Sequence, residues 1–389
     1  MIITTGDHIA ILPFLKDDEI LLRNTEEEPS QIIQRIEMIN QIFGKNFKVI
    51  NDFNFIKTKK IIALESDNTD ILLKAKALGI QTFSGNELEY YEHHREMFFL
   101  QLEKNNITTP HTEIALNKTE ALHLLNFIKS QKVVIKAKKT KILPREIARK
   151  YIQEEINEFP VILQEFIEGY EISCEIYFNK TNTITHNFTI ETKYTEEENL
   201  GRIIGCASNI ILPPLKQLQK IYEKTCEIIF SLNEHTHGIA DVNFIIKDDK
   251  LYPLEITPRV GYLGTISFAF TTNYQELINA TLNNEPFPET KEFCFALAIH
   301  NSEEITVPIL EIIKMTESKD VKIIPETTET IKQSEFVMSI HAKDKNPLTA
   351  IEKCTKTLMN LKEVIPTIYA RLPDQHLIDR ISYFLVNYY

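Results

Sequence analysis

Between Gly238 and Gly264 the chain gathers oxygen ligands and a guanidinium in one short stretch. Asp241 and Asn243 stand two residues apart in an alternating run, so both side chains leave the same face of a predicted strand. Lys247-Asp248-Asp249-Lys250 predicts a tight hairpin turn. The return strand, Leu251 to Glu255, ends on a carboxylate. Thr257 follows two residues later on the same face, and Arg259 two beyond it. Asn243, Glu255 and Thr257 are therefore candidate metal ligands beside a cation. Such hard donors suit Mg²⁺, which takes one or two protein oxygens and fills its octahedron with phosphate oxygens. Taken alone, the stretch reads equally as an ordinary hairpin with a solvated rim.

Three other places carry candidate chemistry. Lys132–Lys139 is a short apolar strand flanked by basic residues, with Lys136 and Lys138 at its end. Val161–Ile176 is an apolar strand followed by Gln164-Glu165-Phe166-Ile167, then Gly169 at a turn and Glu171 beyond it. Glu191–Ser208 places Lys193 ahead of an acidic stretch with Asn199, Gly201 and Gly205, expected as a loop. Taken singly, these read as an edge-strand lysine, a hairpin with a wet glutamate and a charged surface loop; the Glu196-Glu197-Glu198 run is assigned to solvent.

In this order the motifs resemble the ATP-grasp fold, nearest to its glycinamide ribonucleotide synthetase branch. The metal-binding end of that fold has an acid or amide on one strand, then Glu-x-Asn-x-Arg after the next. Asn243, Glu255 and Arg259 match, and Thr257 stands where the family has Asn. The resemblance implies that Lys136 reaches ATP phosphates and that Gln164, Glu165, Phe166 and Ile167 form the hinge along adenine. It further implies that Glu171 binds the ribose hydroxyls and that Lys193 touches substrate or phosphate. Arg95 lies where the family carries a phosphate-binding lysine, with Ile107-Thr108-Thr109-Pro110 following at the family distance. Ile365–Arg371 and Asp379-Arg380-Ile381 are faintly similar to that branch's closing segment. The adjacent His93 and His94 face different sides of a helix and are assigned to the surface.

Composition bounds the rest. A chain of 389 residues, 43% hydrophobic and 25% charged, is expected to form two or three domains with a substantial core. The formal charge of −12 argues against bulk nucleic-acid binding but leaves a nucleotide substrate open. No apolar run approaches the ~20 residues of a membrane helix, and the first residues lack signal-peptide character. Five scattered cysteines without a CxxC pair read as reduced, cytoplasmic thiols.

The fold class expected is α/β (α+β). A small parallel α/β domain spans 1–105, an ATP-grasp nucleotide-binding domain 106–285 with its lid at about 130–180, and a C-terminal α/β domain 286–389. In the first block Ile9–Phe14, Lys48–Ile50, Lys60–Leu64 and Gln81–Phe83 alternate as apolar runs with helices at Pro29–Phe43 and Thr69–Leu78.

The resemblance implies ATP and Mg²⁺ as cofactors. The activity it implies is carboxylate–amine ligation through an acyl phosphate, with Arg259 and Lys193 as catalytic residues. The substrates would be an amino acid and an amine-bearing partner such as a nucleotide or base. The oligomeric state is left at monomer or homodimer. Two departures keep other readings open. The start, Thr4-Thr5-Gly6-Asp7-His8, replaces the branch's glycine-rich turn, and the lid after Lys136 has no glycine, which passes anion holding to Lys138, Lys139 and Lys141. A nucleotide-binding module with weak or no turnover, and an unrelated α/β protein, are the alternatives.

Overall fold

The structure, a computed structural model of the chain, describes residues 1–387 except 6–7, 17, 23–27, 51–56, 65–68, 85–87, 181, 198–199, 233–236, 304, 307–311, 314–315, 317, 327–329 and 332–335. Its fold is mixed α/β. The first unit is a five-stranded parallel sheet built from β1 (Ile2–Thr5), β2 (Glu19–Leu22), β3 (Lys48–Ile50), β4 (Lys60–Ala63) and β5 (Gln81–Phe83), in the order β3-β2-β1-β4-β5. Helices α1 (Pro29–Phe43) and α2 (Thr69–Ala77) connect its strands. One expectation fails here. Ile9–Phe14 is not a strand but a buried 3₁₀ helix containing Pro13, and β1 and β2 lie on either side of it. A short, wholly apolar run does not distinguish a strand from a helical turn, because its burial on all sides erases periodicity.

Two short helices, α3 (Glu89–His93) and α4 (Arg95–Lys104), lead into an antiparallel lid. Its strands are β6 (Thr112–Ala115), β7 (Lys132–Lys136), β8 (Thr140–Pro144) and β9 (Val161–Glu165), in the order β8-β7-β9-β6, backed by α5 (Lys118–Leu124) and α6 (Arg145–Glu154). Alternation in β7 sets its two faces: Val133 and Ile135 enter the lid core, and Lys132, Val134 and Lys136 face away from it.

The central sheet is formed by β10 (Tyr170–Asn179), β11 (Asn182–Glu197), β12 (Leu200–Leu212), β13 (His237–Lys247) and β14 (Lys250–Thr257), in the order β14-β13-β10-β11-β12. Helix α7 (Gln219–Leu232) follows β12. The Glu191–Ser208 stretch expected as a loop is thus mostly paired strand; Asn199 lies outside the described residues. Ile172, Cys174, Ile176, Phe188, Ile190, Val242 and Phe244 line the apolar face of this sheet and join the main core. The alternate residues, among them Glu171, Glu175, Glu191, Lys193, Asp241 and Asn243, fall on the opposite, polar face.

The hairpin between β13 and β14 turns on Asp248 and Asp249, both in the left-handed region at φ 50° and 59°, as a two-residue turn of this twist requires. The chain continues through α8 (Leu263–Thr271) and α9 (Tyr274–Asn283). The last unit comprises β15 (Phe293–Asn301), β16 (Ile305–Thr306), β17 (Val321–Pro325), β18 (Thr330–Ile331), β19 (Phe336–Asp344) and β20 (Ile368–Tyr369), with α10 (Pro347–Val364) and α11 (Gln375–Ser382). β15 pairs with β12, which makes this unit an extension of the central sheet.

Specific contacts dock the parallel sheet. A Cβ at Gly238 would lie 1.7 Å from the Ser84 carbonyl oxygen, so the backbone of β13 approaches the end of β5 more closely than any side chain allows. The buried Arg35 guanidinium donates to Glu326 at 2.6 Å, tying α1 to the last unit.

Candidate active site

A cavity of about 310 Å³ lies between the lid and the polar face of the central sheet. Lys132, Val134, Lys136, Thr140 and Ile142 line it from the lid, and Gln164 through Gly169 line its hinge edge. Glu171, Lys193, Ile245, Leu254 and Glu255 form the central-sheet wall. The apolar residues Val134 and Ile142 on one wall and Ile245 and Leu254 on the other leave room for a flat group between them.

The hinge leaves β9 and reaches β10 at Gly169. A Cβ there would stand 2.3 Å from the Ile246 carbonyl oxygen, so glycine is required by close approach and not by φ. Buried Gln164 donates through Nε2 to Thr112 Oγ1 at 2.8 Å. Glu165 accepts from the His111 amide at 2.9 Å, and the Phe166 amide donates to Ser130 Oγ at 3.2 Å. The Lys132 ammonium lies 5.1 Å from the centre of the Phe166 ring. These bonds anchor the hinge from behind.

Charge is concentrated at the far end. Lys136 is only 7% exposed; its ammonium donates to the Leu254 carbonyl at 2.6 Å and lies 4.8 Å from the centre of the Phe99 ring. Burial lowers its pKa to about 8, against the attraction of Glu255 and Glu171 and with help from Arg95 and Lys193. Lys193 pairs with Glu171 at 2.5 Å. Burial would lower the Lys193 pKa, but Glu171, Glu191 and Glu255 outweigh it and hold the lysine charged.

The β13–β14 register places Asn243 opposite Glu255 and Asp241 opposite Thr257. Asn243 Nδ2 donates to Glu255 Oε1 at 2.9 Å. Burial alone would raise the Glu255 carboxyl; Lys193, Lys136, Arg95 and the Asn243 bond prevail and bring it down to about 2. Behind it, burial raises the Asp241 carboxyl well above its usual range, reinforced by Glu175, Glu191 and Glu255, and its Oδ1 lacks a hydrogen-bond partner.

This donor set fits Mg²⁺. An ionised carboxylate and an amide are in contact across one strand pair, with the Thr257 hydroxyl two residues beyond Glu255 on the same strand and mutually repelling acids behind them that a cation would relieve. Of the three, Glu255 lines the cavity. Among the described residues no group of three or more His, Cys, Asp or Glu forms a dedicated metal cage.

The remaining described candidates are not among the residues that line this cavity. Arg95 donates to Thr140 Oγ1 at 3.2 Å and, with exposed Lys138, lines a neighbouring cavity of about 350 Å³ that shares Lys136. Arg259 donates to Glu92 Oε1 through Nε at 3.1 Å and Nη2 at 2.9 Å. Lys139 is exposed, and the Lys141 ammonium lies over the Tyr151 ring. Gly264 lies in the first turn of α8, just beyond Gly261. Gly6 and Asp7 of the first turn are outside the described residues. His93 and His94 are exposed, and His94 pairs with Glu96 at 3.4 Å.

Comparison with known proteins bears directly on this arrangement. Residues 94–262 match the model of an ATP-grasp domain. This chain carries an ATP-grasp domain within an ATP-grasp fold. It is similar to the phosphoribosylamine–glycine ligase structure of Thermotoga maritima, with a TM-score of 0.65 and 12% identity over 95% of this chain and 97% of that one. It is also similar to the carboxyaminoimidazole ribonucleotide synthase of Aspergillus clavatus complexed with ATP, with a TM-score of 0.63 and 10% identity over 93% and 98% of the two chains. In sequence it is 26% identical over 165 residues to the D-alanine–D-alanine ligase of Desulforamulus reducens, covering 40% of this chain and 45% of that protein. The chain spans about half the length of the curated relatives it matches.

The placement of four residues at or behind this cavity escaped sequence reasoning. Glu175 is buried and accepts from Tyr177, Asn187 and Thr265 at 2.8, 3.0 and 3.0 Å. Glu191 is half-buried near Lys193, and desolvation raises its carboxyl pKa. Both continue the period-two pattern of Glu171 and Lys193, which was the available signal. His376 and Arg380 line the cavity from α11; the faint likeness at Asp379-Arg380-Ile381 marked the segment but not its long-range placement at the cavity.

Proposed function

We propose that this chain is an ATP-dependent carboxylate–amine ligase, joining an amino acid to an amine-bearing partner such as a nucleotide or base. The observation that carries the reading is the cavity itself. It has an apolar slot beside a hinge at one end, and Lys136, Lys193 and an ionised Glu255 at the other. A neutral flat ring fits the first end and a polyphosphate with its cation the second. The ATP-grasp domain and the ligases among the similar proteins support the same reading.

In this mechanism the substrate carboxylate oxygen attacks the γ-phosphorus of ATP. The bond to the bridging oxygen breaks, ADP leaves, and an acyl phosphate forms. An amine nitrogen then adds to the acyl carbon, loses its proton, and expels phosphate to leave an amide. Lys136 and Lys193 hold phosphate oxygens, and Arg95 adds positive charge beside them. The hinge from Gln164 to Ile167 sets the base, and Glu171 takes the ribose hydroxyl protons. Mg²⁺, when bound by Glu255, Asn243 and Thr257, neutralises charge on the transferring phosphoryl group. Arg259 stabilises the acyl oxyanion after exchanging Glu92 for substrate. Little proton chemistry is asked of the protein; positioning and charge carry most of the rate. The free thiols accord with a reducing, cytoplasmic setting.

Hydroxylamine tests this without knowledge of the amine, because it converts an acyl phosphate to a hydroxamate. The protein with ATP, Mg²⁺, hydroxylamine and a pool of amino acids is expected to yield a hydroxamate of one acid. Glu255→Gln is expected to lower that rate at least about a hundredfold, the scale of losing one transition-state charge contact. Nucleotide binding without hydroxamate from any acid would shift the reading to a binding module. Full activity in Glu255→Gln would overturn the metal assignment.

A further inference from the structure

Helix α11 closes one side of the cavity. Asp374 caps it by accepting the Leu377 amide at 2.9 Å. Leu377 and Ile381 enter the core, and His376 and Arg380, four residues apart on one helix face, line the cavity. Arg380 Nη2 donates to the Glu191 carbonyl at 2.6 Å, and Arg371 Nη1 to the Lys193 carbonyl at 3.3 Å. Two arginines thus grip carbonyls two residues apart on β11, the strand that carries Lys193.

The grip leaves one donor over. Arg380 is 8% exposed, and its Nε is buried without a hydrogen-bond partner. A buried charged donor left unsatisfied is costly, and here it belongs to a side chain that lines a ligand-sized space. Glu171 is the acid that attracts this guanidinium most strongly. The same corner therefore offers one carboxylate acceptor and one unspent N–H donor. A hydroxyl group satisfies both, since it donates one proton and accepts on its lone pairs.

We infer that Arg380 is a specificity-determining residue for the sugar of the bound nucleotide, donating Nε–H to a ribose hydroxyl oxygen whose proton goes to Glu171. This rests on the reading of the cavity as a nucleotide site. The last unit then belongs to the nucleotide pocket as well as to the fold, because α11 supplies half of the sugar contact.

The test is the affinity of the full-length protein for ADP, 2′-deoxy-ADP and 3′-deoxy-ADP, measured by calorimetry. The native protein is expected to prefer ADP over at least one deoxy form. Arg380→Gln is expected to weaken ADP about tenfold, with little change for that deoxy form, so that the preference collapses. Arg380→Lys keeps the charge but not the Nε donor; it is expected to lose the preference too, and it carries the test if the glutamine variant fails to fold. If Arg380 only braces β11, all three nucleotides weaken together and the preference survives, which overturns the inference. No binding of any of them to the native protein would overturn the nucleotide reading itself, and this inference with it.

Discussion

In the proposed function Lys136 is the residue on which phosphate binding turns, and its burial gives it a measurable signature. The ammonium loses its proton near pH 8 instead of near 10.5. A polyphosphate binds the charged form, so ADP affinity is expected to hold below pH 8 and to fall above it, by up to about tenfold per pH unit. Glu255 at about 2 and the strengthened Lys193 do not titrate in that window. Lys136→Arg is expected to flatten the profile, because a guanidinium stays charged. A titration series from pH 7 to 9.5 checks both. The nucleotide-free fold responds with the opposite sign: between about 8 and 10.5 the unfolded chain binds the extra proton, so this group makes folding more favourable as pH rises.

At this scale much was legible. The spacing from Asn243 to Glu255 to Arg259 placed the first two in direct contact, because a two-residue turn fixes the register that pairs them. The partner of Arg259 was not legible, since Glu92 lies on a helix far away in sequence and only packing brings it close.

At the scale of elements, the hinge depends on a backbone approach that no motif announces. Gly169 was expected to serve a turn; it is needed because β13 passes too close for a Cβ. Gly169→Ala is expected to cost about 1–3 kcal/mol, as overpacking of a tight contact does, and to weaken nucleotide binding by displacing the hinge. Chemical denaturation with a parallel ADP titration checks it. The long strands β11 and β12 were hidden for a related reason. Their polar face is the site, so Glu191, Lys193 and Gly201 read as loop composition although alternate residues are core. The lid is the converse case. Sequence placed no glycine after Lys136, and β7 and β8 are joined by Ala137-Lys138-Lys139 alone, a turn too short to fold over a phosphate.

At the scale of the whole molecule, the lid, the central sheet and the last unit meet around one cavity, and the parallel sheet packs outside it. The motif order along the chain indicated this assembly, since the Lys136 strand and the hinge line the lid side and the residues Glu171, Lys193 and Glu255 line the central-sheet wall. The cavity contribution of α11 did not show, because the faint likeness at Asp379-Arg380-Ile381 carried no position and the helix is seated by the packing of Leu377 and Ile381. Docking between the units rests on backbone approach at Gly238 and on buried charge at Arg35 and Glu326, neither of which periodicity reveals.

The central claim is that the space between the lid and the central sheet holds an adenine nucleotide. Hydrogen exchange with and without saturating ADP tests it most directly. Protection is expected in the hinge at 164–169 and in the lid strand at 132–136. Saturation by ADP with unchanged exchange in both segments would contradict it.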